Sequence, residues 1–263
     1  MAVPTITIVV HATLFFFLKL SFLKNLIYCP DGMNQADKLP KLLYFNRVAH
    51  ALEEADPERF SVKTTYFYGW SGRLSYDDRL KAGAHLYKAI NKLQEKYKKQ
   101  YGVRVPVRVI THSHGGNVAL NAVRAARSHK DSSFVIDELI TFGCPVQQST
   151  SYLAHDSRIK NMYAFYSTGD AMQILDPQGI TQKSVQPNRK KVPLFSERVF
   201  KPAPHLKNVR VKINGKNLGH TAFMFPSTFI RLLPHALDKV QHQKHSHHHI
   251  VSLHLHTHKH PNL

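Results

Sequence analysis

The sequence predicts an α/β protein whose doubly wound, mostly parallel sheet is flanked by helices. β-branched apolar runs recur along the chain, segments with helical spacing separate them, and chemically versatile side chains follow several of the runs directly. With 263 residues, 43% of them hydrophobic, the chain can bury a sizeable core. We expect one domain over residues 1–240 and a separate tail over residues 241–263.

The predicted elements alternate between strand and helix. Strands are expected at residues 5–10, 61–68, 107–110, 136–145, 161–166 and 208–213. Helices are expected at residues 41–52, from about residue 75 onwards, after residue 115, and at residues 227–240. In sheets of this kind the active residues lie at the carboxyl ends of the strands, so these ends are where a site is expected.

The most informative stretch runs from Val107 to Val123. It consists of a β-branched run, then Thr111-His112-Ser113-His114-Gly115-Gly116, then small and apolar residues with helical spacing. This order predicts a strand, a very tight turn and a helix, with Ser113 at the tip of the turn. The turn resembles the nucleophile elbow of the α/β-hydrolase superfamily, in the form found in lipases and esterases. Thr111 stands where the strict pattern has glycine.

The resemblance implies a catalytic triad of Ser113, Asp170 and His220. Asp170 and His220 each follow a predicted strand, and the chain order nucleophile, acid, histidine is that of the α/β-hydrolases. By this resemblance Ser113 would attack an acyl carbonyl, and His220 would act as general base and then as general acid. Asp170 would orient His220. Asp176, a few residues further on, is the alternative acid.

The resemblance also implies an oxyanion hole built from two backbone N–H groups, those of Thr13 and His114. Thr13 follows the first predicted strand in the order His11-Ala12-Thr13, where Ala12 replaces the glycine of the family pattern. His112 and His114 flank the serine. Because neighbours at such a turn point away from it, we expect both to pack or to hydrogen-bond locally.

Residues 14–35 are predicted to form a lid or interfacial insert, because residues 14–28 are unusually apolar. A core helix and a membrane anchor are the alternatives. Two lysines interrupt the segment, which leaves apolar runs shorter than the roughly 20 residues of a membrane span. Phe15 in this insert and Trp70 are predicted to contact substrate, with core packing as the alternative for Trp70. With no signal-peptide pattern, a cytoplasmic or peripheral membrane location is expected.

The charge balance favours anionic partners. Lys and Arg number 36 against 17 Asp and Glu, a formal net charge of +19. Zinc-finger spacing, an aromatic RNA-binding strand and a basic helix-turn-helix are all missing from the sequence, which argues against specific nucleic-acid recognition. The predicted partners are therefore an ester or lipid substrate and an anionic membrane surface.

The tail over residues 241–263 is rich in histidine. It holds nine of the 19 histidines of the chain, a composition that also suits binding of Zn²⁺, Ni²⁺ or Cu²⁺. Because the spacing is irregular and no carboxylate or thiol supports it, we expect a disordered basic tail and assign no metal site. The predicted chemistry requires no organic cofactor.

These observations predict a serine hydrolase that cleaves a carboxylic ester, with a lipid ester as one candidate substrate. The alternative is a catalytically inactive, hydrolase-like module that binds an anionic membrane or nucleic acid through its basic surface. Ala12 and Thr111, which replace expected glycines, keep this alternative open.

Overall fold

A computed structural model describes residues 3–13, 29–176, 178, 193–225, 228–242 and 250–257. The strands within these residues form one sheet and have the following bounds: β1 Ile6–Val10, β2 Gly32–Gln35, β3 Thr65–Gly69, β4 Val107–His112, β5 Ile136–Phe142, β6 Ile159–Tyr166, β7 Leu206–Ile213, β8 Lys216–Asn217 and β9 Ile250–Leu255. The strand order is β2-β3-β1-β4-β5-β6-β7, and β7 also pairs with β8 and β9. The β2–β3 and β7–β8 pairs are antiparallel and the other pairs are parallel. The predicted fold class is confirmed.

Helices cover both faces of this sheet. Their bounds are α1 Tyr44–Ala55, α2 Tyr76–Tyr101, α3 Gly115–Ser128 and α4 Leu233–His242. Side chains of β1 alternate between two cores: Ile6 and Ile8 pack with α2 and α3, while Val9 packs with α1 and α4. The same alternation occurs in the neighbouring strands, where Val109 and Leu139 lie in one core and Ile110 and Ile140 in the other. Because both faces are buried, these strands contain runs of consecutive apolar residues that were recognisable in the sequence.

The parallel strands end at the same edge of the sheet, which we call the carboxyl edge. The chain segments that follow these strands therefore lie together at this edge. Strands β1, β3, β4, β5, β6 and β7 all run in the same direction. The segments that leave them at this edge are residues 11–13, 70–73, 113–116, 143–150, 167–176 and 214–220. Serine, aspartate and histidine candidates from distant parts of the chain therefore meet there.

The predicted insert at residues 14–35 extends too far towards its carboxyl end, because Gly32–Gln35 forms β2 and belongs to the sheet. This strand is short, lacks apolar alternation and forms only because β3 offers a free edge, so its own residues do not predict it. Residues 14–28 lie outside the described residues. Among the helices of the described part of the chain, none combines the length and the apolar character of a membrane span.

The prediction of a disordered tail is wrong for Ile250–Leu255, which forms β9 and pairs in parallel with β7. Leu253 and Leu255 are buried, whereas the intervening His254 is exposed. This alternation is typical of a strand with one buried face, but the histidine-rich composition obscured it. The remaining tail residues, 243–249 and 258–263, lie outside the described part.

Leu253→Ala tests the docking of β9. Removing this buried side chain should lower the free energy of unfolding by about 2 to 5 kcal/mol. His254→Ala, at the exposed neighbouring position, is the matched control and should cost about 0.5 kcal/mol or less. Urea denaturation measures both. Equal and small effects would show that β9 does not pack on the sheet.

Candidate active site

Ser113 occupies the turn between β4 and α3 in a left-handed backbone conformation, with φ of 53°. Such a conformation costs a non-glycine residue about 1 to 2 kcal/mol. Two backbone hydrogen bonds hold it: the Ser113 N–H donates to the Phe142 carbonyl at 2.8 Å, and the Gly116 N–H donates to the Ser113 carbonyl at 3.0 Å. The predicted strand, tight turn and helix are confirmed.

Thr111 stands where the family pattern has glycine, and the absence of a side chain on Gly116 leaves room for it. A Cβ atom added to Gly116 would lie 3.3 Å from Thr111 Oγ1 and 2.4 Å from Cys144 Sγ. The Thr111 hydroxyl donates to the Ile140 carbonyl at 3.4 Å. Because Gly116 has no side chain, the start of α3 can approach both β4 and β5 although residue 111 is a threonine.

Asp170, which is buried, and His220, which is partly exposed, form a pair at the carboxyl edge. His220 Nδ1–H donates to Asp170 Oδ2 at 2.8 Å, and the Gln173 N–H donates to the other carboxylate oxygen at 3.0 Å. Gly143 at the end of β5 has φ of 54°, and a Cβ atom there would lie 2.6 Å from Asp170 Oδ2. A glycine at this position is therefore what lets the acid approach the end of β5.

His112 holds the backbone of His220 in place. Its Nε2–H donates to the His220 carbonyl at 2.8 Å, and the centroids of the two rings are 4.7 Å apart. Burial, together with the nearby His220, lowers the pKa of His112 to about 3, so its imidazole is neutral near pH 7. His112 packs, as one of the two expectations had it, but its hydrogen bond is not local, because the partner lies in the segment after β8.

The serine lies beside this pair without bonding to it. Ser113 follows His112 directly, and the His112 ring packs against the ring of His220. Within the described part of the chain, the Ser113 hydroxyl forms no hydrogen bond. Hydrogen bonds between a nucleophile and its base are often long in the absence of substrate and shorten when it binds.

The two predicted oxyanion donors lie on adjoining segments. A Cβ atom on Gly115 would lie 2.6 Å from the carbonyl oxygen of Val10, so the end of β1, which leads to Thr13, touches the turn that carries His114. Among the described residues, neither the Thr13 N–H nor the His114 N–H donates to an acceptor. Their role as oxyanion donors stays a prediction.

Trp70 packs in the core, as the alternative interpretation has it, and its contact with substrate stays a prediction. Its indole N–H donates to the His11 carbonyl at 3.0 Å, its backbone N–H donates to His11 Nε2 at 3.1 Å, and the two rings stack. Only 6% of Trp70 is exposed. Trp70 thus fixes the segment that leads to Thr13. Phe15, the other predicted substrate contact, lies outside the described residues.

A second histidine–aspartate pair lies beside the first. His114 Nε2 is 3.1 Å from Asp176 Oδ1, and Asp176 Oδ2 accepts hydrogen bonds of 2.6 Å from Gln147 and from Ser196. Burial alone would raise the pKa of Asp176, but its contacts with His114, Ser196 and Gln147 outweigh burial and lower it. Burial and the charge of Arg79 lower the pKa of His114. The pair is therefore an ionised carboxylate and a neutral imidazole.

Arg79 of α2 supplies a positive charge to this second pair. Its guanidinium is buried and donates to Gln147 Oε1 at 3.5 Å, while the same Gln147 side chain donates to Asp176. Asp176, the alternative acid of the sequence analysis, is thus bound to His114 and its neighbours, whereas Asp170 is bound to His220. No spacing in the sequence indicated this second pairing.

Part of the chain matches a sequence model described as a PGAP1-like alpha/beta domain. The match covers residues 78–185, less than half of the chain, and includes Ser113 and Asp170 but ends before His220. It coincides with the mostly parallel sheet and with the serine turn between β4 and α3. A comparison with curated proteins finds no match.

Solved structures similar to this chain include esterases and a lipase. A Pyrobaculum calidifontis esterase is 11% identical with a TM-score of 0.38, and the match covers 97% of this chain and 67% of that one. A Rhizomucor miehei esterase is 11% identical with a TM-score of 0.35, and the match covers 98% of this chain and 66% of that one. A hormone-sensitive lipase from a metagenome library is 12% identical with a TM-score of 0.37, and the match covers 96% of this chain and 67% of that one. The chain spans about two thirds of their length, and likenesses this low carry no information on activity.

His112→Gln tests the neutral state of His112. Between about pH 8 and pH 5 the unfolded chain takes up a proton at the ordinary histidine pKa of 6.5, while the folded chain does not until about pH 3. This difference destabilises the fold on acidification by about 2 kcal/mol at pH 5. Glutamine keeps an N–H donor and removes the titration, so the variant should lose about 2 kcal/mol less than the wild type over this range.

Urea denaturation at the two pH values measures this difference, with His85→Gln on the exposed face of α2 as the matched control. The control should follow the wild type. If His112→Gln also loses stability as the wild type does, His112 is not held neutral in the folded state.

Proposed function

We propose that this chain is a serine hydrolase that cleaves a carboxylic ester, with a lipid ester as the favoured substrate class. The observation that carries the proposal is the 2.8 Å contact between His220 Nδ1 and Asp170 Oδ2 at the edge where Ser113 occupies its left-handed turn. A serine hydroxyl is a weak nucleophile until an adjacent imidazole accepts its proton. An imidazole whose Nδ1–H is bound to a buried carboxylate has Nε2 free to accept that proton.

In the proposed first step, Ser113 Oγ bonds to the ester carbonyl carbon while His220 Nε2 takes the hydroxyl proton. The tetrahedral intermediate then collapses, the C–O bond to the alcohol breaks, and His220 returns its proton to the departing oxygen. Asp170 accepts the Nδ1–H of His220 and stabilises the imidazolium that forms. An acyl group is left on Ser113.

In the second step, water replaces the alcohol. His220 removes a proton from the water as its oxygen attacks the acyl carbon, and the acid product leaves when the proton returns to Ser113 Oγ. In both steps the N–H groups of Thr13 and His114 would donate to the oxyanion. Preorganised donors of this kind contribute about 100- to 1,000-fold in rate each.

Hydrolysis of p-nitrophenyl esters of several chain lengths tests the proposal. Ser113→Ala and His220→Ala should each lower kcat by about 10⁴-fold or more, because the two groups act as a unit. Asp170→Asn should lower kcat by about 10⁴-fold, because it stabilises the wrong tautomer of His220.

Ser71→Ala, on the loop after β3 at the same edge, and the exposed His85→Ala are the matched controls and should keep wild-type turnover. Full turnover by Ser113→Ala would refute the assigned nucleophile. A folded wild type that hydrolyses none of the esters would refute the enzyme proposal and leave the inactive, hydrolase-like binding module as the account of this fold.

A further inference from the structure

Two loops beside the candidate site have their polar and apolar side chains in inverted positions. Four polar side chains on these loops are almost fully buried: Gln173, Asp176, Gln178 and Ser196. Large apolar side chains of the same loops are exposed: Met172, Leu175, Leu194 and Phe195. Single exposed apolar residues are common on protein surfaces. A group of exposed apolar side chains above buried polar ones is unusual, because it leaves apolar surface in contact with water. We call the four exposed apolar side chains the apolar rim.

The members of the apolar rim lie on two segments that run side by side. Ser196 Oγ–H donates to Asp176 Oδ2 at 2.6 Å, and Gln178 Nε2–H donates to the Phe195 carbonyl at 2.6 Å. The exposed fractions of Leu175, Leu194 and Phe195 are 58%, 51% and 48%. The buried hydrogen bonds beneath the rim fix its backbone, so the apolar side chains are held outwards by the structure.

The apolar rim borders the candidate catalytic pair. Met172 follows Asp170 by two positions, and Gln173, on the same segment, donates to the carbonyl oxygens of Cys144 and Arg198. Arg198 in turn donates to the carbonyl oxygens of Ser167 and Asp170. A partner bound to the rim would therefore lie at the same edge of the sheet as Asp170.

The charge of the protein indicates which partner suits the rim. The net charge of +19 favours an anionic surface. Residues at or near the carboxyl edge carry both signs. The cations are Lys41 and Arg73, which precede α1 and α2, Lys212 near the end of β7 and Lys216 in β8, and the anions are Asp31, Asp77 and Glu197. Within the described part of the chain, none of these four cations forms an ion pair. Exposed apolar side chains on a cationic protein are the combination that binds bilayers containing anionic lipid.

We infer that the apolar rim inserts into the surface of an anionic phospholipid bilayer and holds the candidate site at the lipid. Leu175, Leu194 and Phe195 would enter the boundary between head groups and acyl chains, and the cations would contact the head groups. The inference rests on the proposed function in one respect, which is that the bilayer would supply the ester substrate. Binding itself requires no turnover.

Vesicle flotation of the full chain tests the inference. The Ser113→Ala variant is used as the parent, so that hydrolysis cannot alter the lipid. Vesicles of phosphatidylcholine alone are compared with vesicles of equimolar phosphatidylcholine and phosphatidylserine, at low and high salt. The parent should bind the anionic vesicles, and both added salt and loss of phosphatidylserine should weaken binding.

The Leu175→Asp/Phe195→Asp double variant should bind anionic vesicles at least about tenfold more weakly, because each change removes an inserted apolar side chain and adds a like charge to the surface. Val103→Asp is the matched control: Val103 is also 48% exposed but follows α2, away from the rim. It should bind as the parent does. Thermal melting of each variant confirms that it is folded.

Binding of the double variant equal to that of the parent would overturn the inference. So would a folded parent that floats with no vesicle, or a parent that forms a dimer lost in the double variant without binding lipid, which would make the rim an interface between copies. Because the parent lacks the Ser113 hydroxyl, these outcomes are independent of ester hydrolysis by the wild type, and failure of one proposal is distinguishable from failure of the other.

Discussion

The left-handed conformation of Ser113 is the constraint on which the rest of the site depends. Its cost of about 1 to 2 kcal/mol is offset by the hydrogen bond from its N–H to the end of β5 and by the start of α3. The turn is sharp enough for Gly115 to approach the end of β1 and for Gly116 to approach Cys144. One strained residue thus determines where β1, β4, β5 and α3 meet, and Thr13 and His114 are placed relative to Ser113 by the same contacts.

The two histidine–aspartate pairs have different environments, and this separates their roles. His220 is partly exposed and bound to Asp170, whereas His114 and Asp176 are both buried and share a network with Arg79 and neighbouring polar side chains. A buried ionic network costs desolvation free energy and requires that its members keep their partners. The second pair therefore suits a structural role: it connects the serine turn to the loops after β5 and β6 and to the segment that carries Leu194 and Phe195.

The fold was predictable where the pattern of the residues is local. Central strands contain short runs of consecutive apolar residues, and the serine turn lies between a β-branched run and a helix, so both could be identified from sequence alone. β2 and β9 could not, because a four-residue strand and a histidine-rich strand acquire their pairing from β3 and β7. Likewise, the partners of His112, His114 and Trp70 lie far along the chain or on another strand end. Only the packed sheet brings these groups together.

Covalent labelling by a fluorophosphonate, with the modified residue located by peptide mass spectrometry, tests most directly whether the turn presents an activated serine. The account predicts a single adduct on Ser113 of the folded wild type, its loss in Ser113→Ala, and slower labelling in Asp170→Asn. An adduct on a different serine, or a folded wild type that remains unlabelled, would contradict it.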